Sequence, residues 1–112
     1  YDGISISELK LLAYMGFFNA MSSINKVNNL LKDLENQVTI TQDQVRKNAS
    51  AETLQNSMNV LKHIHQELIN TFSNSSGARV SMFTLFGNKM RMHDILTYSK
   101  NVIYNLAAII HS

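Results

Sequence analysis

Small or apolar residues return at Ala13, Phe17, Ala20, Ile24, Val27, Leu31, Leu34 and Val38, in steps that alternate between four and three. Side chains three and four apart share one face of an α-helix, so this rhythm marks a buried helical seam in heptad register. The 112-residue chain contains no proline, the residue that removes a backbone donor and clashes inside a helix. A seam this long without a breaker predicts a helix of thirty-odd residues, about 45 Å at 1.5 Å per residue.

Its start is marked by Ser5-Ile6-Ser7-Glu8, a capping box in which the Ser5 hydroxyl and the Glu8 carboxylate each accept from the other's backbone N–H. Ile4 and Leu9 stand where a hydrophobic staple fixes the entry. Helix propensity weakens at Thr39-Ile40-Thr41, since β-branched side chains lose rotamer freedom there. Thr41 and Gln44 have the spacing of a second capping box, but Val45 stays on the old seam. The chain either bends near 39–41 or runs on to about Lys47 and turns at Asn48-Ala49-Ser50; Val45 favours the second course.

A second helix is expected from about Ala51 to Phe72, with Leu54, Met58, Leu61, Ile64, His65, Leu68 and Phe72 on its core face. Ser73-Asn74-Ser75-Ser76-Gly77 reads as a loop, Gly77 being free to take a left-handed conformation. Residues 80–86 fit strand alternation at Val80, Met82 and Thr84, and helical spacing at Val80, Phe83 and Gly87. With no second strand in view to pair with, they are read as helix or turn. A last helix, from Lys89 or His93 to Ile110, buries Met92, Ile95, Leu96, Val102, Ile103, Leu106, Ile109 and Ile110. The predicted fold is all-α: one domain over 1–112, an elongated up-down bundle of three to four helices with a long first helix.

Composition narrows the function. Charged residues are only 16% of the chain and the formal net charge is +2, too small a surplus to argue for nucleic acid by itself. There is no cysteine, which removes disulfides, thiol nucleophiles and thiolate metal sites. No run approaches the ~18 apolar residues of a membrane span. Leu9–Phe18 is too short to cross a bilayer and lacks the flanks of a signal peptide.

Leu11-Leu12-Ala13-Tyr14-Met15-Gly16-Phe17-Phe18 is apolar around most of the helix, more than a helix wet on one side needs. Leu11, Tyr14, Met15, Phe17, Phe18 and Met21 are therefore the candidate interaction surface, and Gly16 and Ala20 allow a second helix close approach. The C-terminal third is basic, with Arg79, Lys89, Arg91 and Lys100 against Asp94 alone. These four form a candidate face for an acidic partner, nucleic acid or anionic lipid, although no aromatic platform interleaves with them for single-strand stacking.

Other chemistry finds little support. His63 and His65 are two apart and diverge on a helix; His63 and Glu67 share a face but provide only two ligands. The Lys and Gly that follow the histidine of phosphotransfer bundles are absent. Thr41–Leu54 opens with a polar Thr-Gln, as DNA-reading helix pairs do, but has no turn glycine and almost no cations to neutralise phosphate. Asp33 and Glu35, beside Lys32, read as a solvated charge cluster. No nucleophile motif, phosphate loop, metal or cofactor site is expected.

The chain is thus read as a non-enzymatic protein–protein interaction or structural module, working through helical faces, with a subunit of an envelope, secretion or virion assembly as one setting. The alternatives are a small regulator that binds DNA or an acidic partner through 79–100, and an extracytoplasmic sensory bundle. Self-association through residues 11–21 is predicted. Sedimentation is expected to show concentration-dependent oligomers; a monomer at high micromolar concentration, with Phe17 and Phe18 buried inside it, removes the idea.

Overall fold

The computed structural model describes the backbone of residues 6–112 and the side chains of residues 21–112. The elements run α1 (Ile6–Arg46), α2 (Ala51–Asn74), α3 (Ser76–Val80), β1 (Phe83–Leu85), β2 (Asn88–Met90) and α4 (Met92–Ile110). The fold is all-α, an elongated up-down bundle with a long first helix, to which a small hairpin is added. The Ser5–Glu8 capping box and the apolar segment 11–18 lie outside the described side chains.

α1 does not bend at 39–41. Thr39 and Thr41 turn their hydroxyls back onto the carbonyls of Glu35 and Gln37, at 2.9 and 2.7 Å, so the helix keeps them without opening a new N-terminus. The second capping box at Thr41 is therefore not formed. α1 ends one turn later in a Schellman motif. Asn48 takes a left-handed φ of 56°, Ala49 N–H donates to the Gln44 carbonyl at 2.9 Å, and Asn48 N–H to that of Val45 at 3.1 Å. Ser50 then caps α2 by accepting from Thr53 N–H at 3.2 Å.

This short turn sends α2 back along α1. Ser57 Oγ meets Gln44 Oε1 at 2.6 Å, and further along Lys26 Nζ meets Glu67 Oε2 at 3.4 Å, as antiparallel partners must. The α1 seam is the buried stripe: Val27, Leu31, Leu34 and Val38 are 0–3% exposed. It faces Leu54, Met58, Leu61, Ile64, Leu68 and Phe72 of α2, all buried. α4 packs on α2 through Ile95, Ser99, Ile103 and Leu106. Ile109 departs from its expected place in the core and is 43% exposed, because it faces an open concavity beside Val45 of α1 rather than a packed neighbour.

α1 has 41 residues and α2 has 24. Pairing from a shared turn therefore leaves about 17 residues of α1 beyond the end of α2. The molecule measures 71 × 24 × 18 Å, with a radius of gyration of 18.7 Å; a compact chain of this length has about 13 Å. The rod shape follows from unequal helix lengths.

The region after α2 differs from the expected loop. Ser75 alone interrupts the helix; its Oγ accepts from Ala78 N–H at 3.2 Å and caps α3, which takes in Gly77 in ordinary helical conformation. Residues 83–90 form an antiparallel hairpin, with Phe83 opposite Met90, Thr84 opposite Lys89 and Leu85 opposite Asn88. The helix-or-turn reading of 80–86 is thus corrected. The alternation was present, but Phe83 and Leu85 face inward while Val80, Met82 and Thr84 face out. The two turn residues, Phe86 and Gly87, both have positive φ, 49° and 78°, the requirement of the tight turn that matches strand twist.

A phenylalanine resists that conformation, and long-range contacts hold it there. Glu35 Oε1 on α1 accepts from Phe86 N–H at 2.7 Å. The Phe86 ring meets the edge of Tyr98, 6.2 Å between centroids. Glu35 is therefore no member of a merely solvated charge cluster. Glu35→Ala is expected to leave the helices intact, loosen the hairpin by about 1 kcal/mol, and speed amide exchange at Phe86 well above that in α2, read by NMR.

Candidate interaction surfaces

Among the described residues each buried polar side chain already has a partner within the bundle. Thr41 and Thr71 donate to the carbonyls of Gln37 and Glu67, Ser57 to Gln44, and Ser99 to the Leu96 carbonyl. Among the described residues no buried side-chain nitrogen or oxygen lacks a hydrogen bond, and no three His, Asp or Glu converge as metal ligands. His63 is exposed on α2, and Glu67 is engaged by Lys26 rather than by His63. The Thr41–Leu54 stretch is the end of α1, a tight turn and the start of an antiparallel α2, not a pair of crossed helices.

His65 is the side chain the sequence placed in the core without a role. It sits between α2 and α4, its Nδ1 against the buried Ser99 hydroxyl. Because Ser99 Oγ donates to Leu96, the network assigns the Nδ1–H to His65 as donor. Burial, reinforced by the Lys100 ammonium, holds its pKa below 6.5.

A concavity of about 600 Å³ is an open groove between the last turns of α1 and α4. Val38, Val45, Val102, Leu106 and Ile109 make it apolar; Gln42, Arg46 and Asn105 rim it, and Tyr98 lines it. It exists because α1 and α4 both pack on α2 and touch each other little. Tyr98 is bounded here by Phe86, and burial followed by the Glu35 carboxylate pushes its phenol pKa above the usual value of 10. Sequence reading missed the groove, since its walls lie about sixty residues apart in the chain.

Of the predicted interaction surface, Leu11, Tyr14, Met15, Phe17 and Phe18 lie outside the described side chains. Met21 is described and is 41% exposed. The predicted basic face divides. Lys89 and Arg91 lie on the outer side of the hairpin, Arg91 Nε reaching Met82 Sδ at 3.4 Å, and Arg79 stands in the last turn of the preceding α3. Lys100 stands nine residues down α4, roughly 13 Å along its axis, with its ammonium 5.5 Å above the Tyr104 ring and close enough to His65 to act on its charge.

Among the described residues no helix is long and apolar enough to cross a membrane. Compared with protein-family models, curated proteins and solved structures, the chain matches none.

His65 makes the α2–α4 contact sensitive to acid. Its folded pKa is depressed, so below about pH 6.5 the unfolded chain binds the proton more readily and stability falls as pH drops. Urea unfolding is expected to show a lower midpoint at about pH 5 than at about pH 7.5. His65→Asn, which keeps a donor near Ser99 but does not titrate, is expected to flatten that dependence.

Proposed function

We propose that this chain is a non-enzymatic interaction module that offers helical faces to a protein partner or to a second copy of itself, as a subunit of a larger assembly does. The observation that carries this reading is the apolar groove between α1 and α4. Burying aliphatic walls there yields about 25 cal/mol for each Å² removed from water, and a helix with apolar residues three and four apart fits such a trough. The buried polar groups among the described residues are occupied in holding the bundle together, so what the groove offers a partner is apolar contact. The overhang of α1 adds a second helical face, whose sequence Leu11 to Met21 is strongly apolar.

Hydrophobic association survives salt, whereas association by counterion release collapses. Complexes formed through these faces are expected to persist at about 0.5 M salt in sedimentation or light scattering. Ile109→Lys is expected to weaken groove-mediated association at least tenfold. The change lies on an exposed position near the C-terminus of α4, where a cation suits the helix dipole, so thermal stability should stay within about 0.5 kcal/mol. Association that vanishes in high salt and ignores Ile109→Lys would falsify this reading.

A further inference from the structure

Apart from the groove, α3 and the outer side of the hairpin that follows it each carry exposed cations and aliphatic side chains. Between Glu67 and Asp94 the chain carries no acidic residue, yet it places Arg79, Lys89 and Arg91 there. All three are exposed, and none makes an ion pair among the described residues. Val80 and Met82, in the same short stretch, are 78% and 50% exposed. Strand alternation places Met82 and Thr84 on the side of the hairpin that carries Lys89 and Arg91, and the Met82–Arg91 contact ties the apolar and cationic groups together. Inward, Phe83 packs on Phe72, with centroids 5.9 Å apart, so the exposed row rests on the core.

We propose that this face docks the protein on an anionic lipid surface, with Val80 and Met82 entering the headgroup boundary and Arg79, Lys89 and Arg91 meeting lipid phosphates. The occupant follows from charge complementarity joined to exposed aliphatic side chains. Three cations with Asp94 as the one acid beside them in the chain leave a positive surplus that matches a negatively charged leaflet, each cation being worth about fivefold in partitioning. A nucleic acid would satisfy the cations but leave Val80 and Met82 in water, and Phe86, the exposed aromatic of the hairpin, has its ring set against Tyr98. An interfacial lipid layer satisfies both at once. The inference is independent of what fills the α1–α4 groove.

The test uses the full chain and vesicles of phosphatidylcholine, with or without about a third phosphatidylglycerol, a fraction that gives a strongly negative surface. The chain has no tryptophan, so Met82→Trp provides a single local reporter. Its emission is expected to shift to the blue with anionic vesicles, to stay unchanged with pure phosphatidylcholine, and to return in about 0.5 M salt. In flotation, Arg79→Gln, Lys89→Gln and Arg91→Gln together are expected to lower partitioning about a hundredfold. Val80→Ser with Met82→Ser should lower it at least fivefold, with helical circular dichroism unchanged because all five positions are exposed. The proposal is overturned if the Met82→Trp variant shows no blue shift on anionic vesicles, or if vesicle binding ignores both sets of substitutions, which places the contact elsewhere on the chain. Tight binding to DNA or RNA that depends on the cations but not on Val80 and Met82 overturns it equally, by identifying a polyanion site.

Discussion

Burial of the α2 stripe is the constraint from which the rest of the molecule follows. Leu54, Leu61, Leu68 and Phe72 need cover from two sides. α1 supplies one side by folding back through the Asn48 turn, and α4 supplies the other. Two helices resting on one leave a three-helix arrangement that does not close along its whole length. The groove at the ends of α1 and α4 is the residue of that geometry. It is apolar because each wall carries the flank of a stripe whose centre is already buried.

The hairpin solves a different problem. α2 and α4 must be joined, and the joining hairpin lies along α1 with Phe83 and Leu85 facing inward onto the core. The reversal needs two residues with positive φ. Gly87 takes one without cost, and Phe86 takes the other because Glu35 and Tyr98 hold it from outside the turn. Facing Phe83 and Leu85 inward obliges Met82, Thr84, Lys89 and Arg91 to face the other way, while Val80, at the end of α3, is exposed beside them in the chain. The cationic, aliphatic outer surface is thus the reverse side of a packing decision.

Much of the helical framework was legible in the residues. The spacing of Val27, Leu31, Leu34 and Val38, the turn at Asn48–Ser50 and the face of α2 all rest on local periodicity and capping, and the structure has them in place. The hairpin was not legible, because Asn88-Lys89-Met90 has no strand propensity of its own and pairs only once Phe83 and Leu85 are docked. The glycine at the second turn position, two residues between Leu85 and Asn88, was the available signal. Gly77 drew attention to the wrong glycine.

His65 and Glu35 show the same boundary from the side-chain level. Periodicity assigned His65 to the core face, but its partner Ser99 lies 34 positions away. Glu35 looked like an ordinary surface acid until Phe86, 51 positions on, was brought to it. The residues alone determined that the chain forms long helices, because a helix's hydrogen bonds and face are set within four positions of each residue. Only the tertiary structure decided where the groove opens, which glycine turns the chain and which cations stand together, because those depend on which stripe each helix finds to cover it.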